Sequence, residues 1–239
     1  MHSNDVELTS QSLEVVANLR DIYSSEEIST NILQVFNLIS KTQLSHKNIS
    51  VIEDILETLH ELIQDDLKPK SKVLVKIFQQ VYETLSSAID LSIEFQIKLL
   101  TLAEEIFELD PECLKENKKV QKLFSCQILD ISGKLSRFFE STTNSEDEEE
   151  TNLFGEMKTR VDALISKILH AFAFEEFLIS IYEKVKGQMA SNKDSEVFSG
   201  LSVASLMGEF LEMDDIIPLM ASVKSNANNQ LASIRFACC

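Results

Sequence analysis

Apolar residues recur three and four positions apart along most of the chain up to His170, the spacing that lays one stripe down the face of a helix. A first stripe, Leu13, Val16, Leu19 and Ile22, follows Thr9-Ser10, which can cap it. A second helix opens at Ser24-Ser25-Glu26-Glu27, where Ser24 and Glu27 have the spacing of a capping box, and continues through Ile28, Ile32, Val35, Phe36 and Ile39. Ser45 opens a third, with Ile52, Ile55, Leu56, Leu59 and Ile63 on one face. The break at Asp65-Asp66-Leu67-Lys68-Pro69 places proline in a first helical turn. The fourth helix carries Leu74, Ile77, Phe78, Val81 and Leu85, and the fifth carries Phe95, Leu99, Leu102 and Ile106. Asp110-Pro111-Glu112 starts a long sixth with Val120, Leu123, Phe124, Ile128, Ile131, Leu135 and Phe138, which Gly133 is expected to bend.

The run from Ser141 to Glu150 is polar and ends in five consecutive acids, so it reads as a solvated linker. A seventh helix follows with Phe154, Met157, Val161, Leu164, Ile165 and Ile168. After His170 the period is ambiguous. Phe177, Ile179 and Ile181 alternate with Leu178, Ser180 and Tyr182 as the two faces of a strand would, and the same residues also continue the preceding helix. The stretches 216–223 and 231–236 read as short β segments, the first demoted to an edge by Pro218. The expected fold is therefore mainly α, an antiparallel helical bundle or helix-pair array with a small β-rich C-terminal part. The expected organisation is a helical bundle over 1–140, an acidic linker over 141–153, and a helix plus short strands over 154–239. The first six helices fall into three pairs opening near Leu8, Leu44 and Leu91. Those intervals are unequal, so a repeat array and a single bundle explain them equally well. Short loops imply antiparallel neighbours.

Composition sharpens this picture. The chain has 5 Gly and 3 Pro in 239 residues, about a quarter of the usual ~12% for the two together, which excludes turn-rich all-β folds and glycine-loop nucleotide sites. With 44% hydrophobic and 26% charged residues, the chain is not globally disordered. The net charge of −17 opposes phosphate backbones, whose binding rests on cationic groups, so nucleic acid and anionic membrane are poor partners and a basic protein partner is expected. No apolar run approaches the ~20 residues of a membrane span. The N-terminus lacks the basic start and apolar stretch of a signal peptide, so the chain as it stands reads as cytosolic, while a fragment of a larger secreted protein would look the same.

The chemistry-bearing residues form no recognisable site. His2, His46, His60 and His170 show no zinc spacing, and His60, beside Glu61, reads as a helix-surface residue. Glu104-Glu105 and Asp214-Asp215 read as solvated pairs, since adjacent acids on a helix face different ways. Cys113 and Cys126 sit in apolar company and read as core. The terminal Cys238-Cys239 lacks the aliphatic pattern of a prenylation signal. No catalytic residue, metal ligand or cofactor is expected, and the chain reads as a non-enzyme. Two modification signals imply opposite compartments. Asn48-Ile49-Ser50 is an N-glycosylation acceptor in a secreted protein, and Ser145 before Glu146-Asp147-Glu148 suits an acid-directed kinase in a cytosolic one.

The stretch Leu44-Ser45-His46-Lys47-Asn48-Ile49-Ser50-Val51-Ile52-Glu53-Asp54-Ile55-Leu56-Glu57-Thr58-Leu59 resembles the helical part of the GAIN-like, membrane-proximal extracellular regions of adhesion receptors and of the polycystin and receptor-for-egg-jelly family. There, several helices precede a β-rich half, and the tail from Phe177 to Arg235 is similar to the entry into it. The resemblance implies a non-enzymatic, glycosylated helical module of a larger membrane receptor. The family's autoproteolysis triplet, His-Leu-Ser or His-Leu-Thr near tryptophan and cysteine, is absent, and the chain has no Trp at all, so no cleavage activity carries over. The competing reading is a cytosolic all-α scaffold or adaptor that binds a partner helix or a basic surface.

Overall fold

In the computed structural model, the described residues are 24–41, 49–66, 72–87, 93–109 and 148–230, with single positions between 115 and 136, at 11 and 14, and near the C-terminus. Every regular element among them is helical: α1 Ser25–Lys41, α2 Ile49–Asp66, α3 Lys72–Ser87, α4 Ile93–Leu109, α5 Glu148–Ala171, α6 Glu175–Met189, α7 Asp194–Met207, a 3-10 turn Gly208–Phe210, and α8 Met213–Asn226. The mainly α fold is thus as the periodicity predicts. The chain forms two compact units, Met1–Glu116 and Asn117–Cys239. Of the stretch expected as a linker, 148–153 is the start of α5, and 141–147 lies outside the described residues.

In the first unit, α1 packs on α3 and α2, and α4 packs on the same two helices. The stripes read from the sequence form its core, with Ile32, Phe36, Ile52, Leu59, Ile77 and Phe95 among the fully buried residues. The α2–α4 pairing is held by Lys98 Nζ donating to Glu57 at 2.7 Å and by Gln64 Nε2 donating to Glu105 at 3.0 Å. These rungs ascend both helices together, so α2 and α4 run parallel, with α3 between them in sequence. The capping box forms as expected. Glu27 N–H donates to Ser24 Oγ at 3.3 Å and Ser24 N–H to Glu27 Oε2 at 2.9 Å. The backbone and hydroxyl bonds from Ser24 hold the Glu27 carboxyl below the usual glutamate range.

The second unit is organised around α7, which is buried on nearly every side from Val197 to Ala204. A helix buried all round needs neighbours that come close, and α7 meets them with small residues. A Cβ on Gly200 would lie 2.8 Å from Met189 Cγ and 2.9 Å from Met189 N, so the α6 and α7 backbones nearly touch there. On another side, a Cβ on Gly133 would lie 3.0 Å from Ser195 O, and Ser199 Oγ donates to the Leu129 carbonyl. Gly133 thus marks a close approach of two helices. Phe124, Phe172 and Phe177 are buried in the core, Phe172 tilted at 5.3 Å from Phe124 and 5.1 Å from Phe177, and half-buried Phe174 lies 5.7 Å from Phe177.

The segment 177–182, open between strand and helix in the sequence, is helical, and so is 216–223, expected to be a strand. Along α6 the buried residues are Phe177, Ile181, Val185 and Met189, a strict four-residue interval, while Ile179 is 54% exposed. A strand would have put 177, 179 and 181 on one face. In α8, Pro218 sits inside the helix rather than on a sheet edge. Of the third expected segment, 231–236, only Ile234 is described, and it is helical and buried. The stripe Leu13, Val16, Leu19 and Ile22 lies outside the described residues, and of its expected helix only Gln11 and Glu14 are described, both helical and exposed.

Candidate functional site

The C-terminal unit carries an open cleft with apolar lining, which includes the exposed Ile179. Its floor is α6. The chain leaves α5 through Phe172, turns at extended Phe174, and re-enters a helix at Glu175-Glu176. Acids in a first turn are favoured by the partial positive charge of the free amides. Because Phe177, Ile181 and Val185 face the core, helical geometry carries Leu178, Ile179 and Tyr182 away from it. The opposite wall comes from the end of α7. The 3-10 turn, extended Leu211 and the N-capping residue Glu212 reverse the chain into α8. Tyr182 Oη donates to the Asp215 carbonyl at 3.1 Å and ties the first turn of α8 to α6.

The hollow left between these segments has a volume of about 590 Å³. Leu178, Ile179, Tyr182, Phe210 and Leu211 form its apolar lining, and Glu175, Glu212 and Asp215 form its polar rim. None of these lining residues is basic. Lys186, one turn along α6, is engaged by Glu183 at 3.3 Å and lies 5.1 Å from the centre of the Tyr182 ring. His170 supports the far wall. Its ring meets Phe210 edge-on at 4.9 Å, its Nδ1–H donates to the Ser166 carbonyl at 2.8 Å, and its Nε2 lies 3.5 Å from Glu209. Ile217 and Met220 are also exposed, on α8, but do not line the cleft.

Two other polar groupings are defined. In the first unit His60 is half-buried rather than on open surface, and its Nε2 pairs with Glu105. Glu105 is correspondingly drawn in from the solvated position expected of it, and its Oε2 is buried with no hydrogen-bond partner among the described residues. The pair links α2 to α4. Beside it Lys98, by hydrogen bond and charge, holds the Glu57 carboxyl below its ordinary range. In the second unit, Lys118 and Lys122 line a smaller hollow of about 330 Å³ together with Glu176 and Phe174.

The residues singled out as modification sites, Asn48 and Ser145, lie outside the described residues, as do Cys113, Cys126 and Cys239. Cys238 is half-buried, and its thiol donates to the Val223 carbonyl at 3.5 Å. No group of three or more His, Cys, Asp or Glu able to hold a metal occurs among the described residues, and no helix among them is long and apolar enough to cross a membrane. The cleft residues escape the sequence reading because their alternation leaves strand and helix both open. The four-residue interval from Phe177 to Met189, opened by two acids, is the signal that finds them. No protein-family model, curated protein or solved structure matches this chain, so the likeness of 44–59 to receptor membrane-proximal regions rests on those residues alone.

Proposed function

We propose that this chain is a non-enzymatic helical interaction module whose partner is a protein presenting a basic segment. The cleft between α6 and the start of α8 carries the proposal, because it combines exposed apolar side chains with a rim of carboxylates. Exposed apolar surface rimmed by charge marks interaction sites, and Ile179 in it remains 54% exposed. The net charge of −17 adds a long-range field that steers cations toward the chain and repels acidic partners. The three rim acids also sit at the N-terminal ends of α6 and α8, so a single arrangement both stabilises these helices and sets the sign of the partner.

A pair of designed peptides with the same leucine spacing, one bearing lysines and the other glutamates, tests this by fluorescence anisotropy on the full chain. The lysine peptide is expected to bind, more weakly as salt is raised, and the glutamate peptide is not. Equal binding of the two, or none by the lysine peptide, would overturn the reading.

A further inference from the structure

We propose that the occupant of the cleft is a basic amphipathic α-helix, seated with its apolar stripe against Ile179, Tyr182 and Phe210 and its cations toward Glu175, Glu212 and Asp215. This rests on the interaction-module reading and adds the conformation and footing of the partner.

The conformation follows from the hydrogen-bonding capacity of the walls. An extended segment gains affinity when its backbone adds to a sheet edge. No strand exists among the described residues, so the cleft has no sheet edge to extend. Its floor is α6, whose amides from Phe177 onward are paired within the helix, so an extended peptide lying along that floor would bury donors and acceptors that the floor does not receive. A helix satisfies its backbone internally and presents only side chains, so it enters without that penalty. Its anchors then recur at three and four residues, the interval that a single apolar stripe supplies.

The charge follows from the rim. Glu175, Glu212 and Asp215 are the ionisable residues lining the cleft. Exposed Glu176 and Asp214 stand next to them in the sequence and add to the same field. The neighbouring cation, Lys186, is engaged by Glu183. A second copy of this chain carries the same net charge of −17 and would meet the rim with repulsion, which disfavours a homodimer through this face.

The test uses the full chain and two lysine-rich peptides of equal charge. One is a helix former with leucines at i, i+3, i+4 and i+7, and the other is the same peptide broken by a central proline. The helix former is expected to bind at least about tenfold more tightly and to gain circular-dichroism signal at 222 nm on binding. Ile179→Asp should weaken it about tenfold or more. Ile217→Asp, equally exposed but outside the cleft, should leave it unchanged. If the proline peptide binds as well as its parent and Ile179→Asp weakens both, the module reading stands and the helical occupant is wrong. If neither basic peptide binds, the module reading itself fails. If Ile217→Asp weakens binding as much as Ile179→Asp, the footing is wrong. Dimerisation abolished by Ile179→Asp in sedimentation would show that the occupant is a second copy, and would overturn the proposal.

Discussion

Replacing Gln96 with methionine should stabilise the first unit. Gln96 lies on α4 with no exposed surface, between buried Phe95 and Ile97, and neither its amide nitrogen nor its amide oxygen has a hydrogen-bond partner among the described residues. A buried amide left without partners costs about 1–3 kcal/mol by the measure of protein mutations. Methionine is close to glutamine in length and in helix propensity, so the substitution removes the polar atoms and changes little else. At 1.4 kcal/mol per factor of ten, a gain of that size slows hydrogen exchange through unit opening roughly 5- to 150-fold. Hydrogen-exchange mass spectrometry on the full chain, read on peptides covering α4, measures this without requiring the two units to unfold together. Gln79, exposed on α3 and bonded to Glu83 at 3.2 Å, is the control, and Gln79→Met should change exchange by no more than a surface substitution does. Exchange in α4 that is unchanged or faster in Gln96→Met would show that the amide has partners and would refute the reasoning.

Glycine-to-alanine substitutions should have opposite signs at two positions of the second unit. At Gly200 the added Cβ meets the α6 backbone, so overpacking of about 1–3 kcal/mol exceeds the ~1 kcal/mol that alanine returns to a helix. At Gly187 nothing lies within 4 Å, so the variant should gain about 0.5–1 kcal/mol. Thermal unfolding of both variants checks the pair, and a raised Tm for Gly200→Ala would contradict the close approach. Lys98→Met should raise the Glu57 pKa toward its ordinary 4.5, because Lys98 is what holds it down. Since a carboxyl depressed in the folded state binds protons more readily when unfolded, Glu57 adds stability above that value and loses it as pH falls through the folded pKa. An NMR titration in which Glu57 does not move between the two proteins would sink this account.

How legible each helix is in the sequence depends on how many sides of it are buried. In α1 and α2 the buried residues form one stripe, so Ile28 to Ile39 and Ile52 to Ile63 are read correctly, and the Ser24–Glu27 box is visible because it is local. For α4 the sequence shows Phe95, Leu99, Leu102 and Ile106, but Gln96, Leu100, Ala103 and Phe107 are buried as well. The pairing of His60 with Glu105 joins residues 45 positions apart, and no local pattern announces it. In α7 the apolar period vanishes, because a helix enclosed on all sides has no polar face to alternate with and because serine and glycine hold the close contacts.

The ambiguity of α6 in the sequence and the proposed function have one physical cause. A helix that serves only its own core needs apolar residues on one side, and Phe177, Ile181, Val185 and Met189 meet that need for α6. Leu178 and Ile179 exceed it. They fill the polar side of the helical period, so that the segment looks like two apolar strand faces, and they leave apolar surface in the cleft. Solvent exposure of such side chains lowers solubility without adding to the stability of the unit. Residues that break a local rule without serving the fold mark the places where the chain serves something else. In this chain that departure coincides with a cleft, a carboxylate rim and a tyrosine tie to the next helix, and the proposed partner-binding role rests on that coincidence.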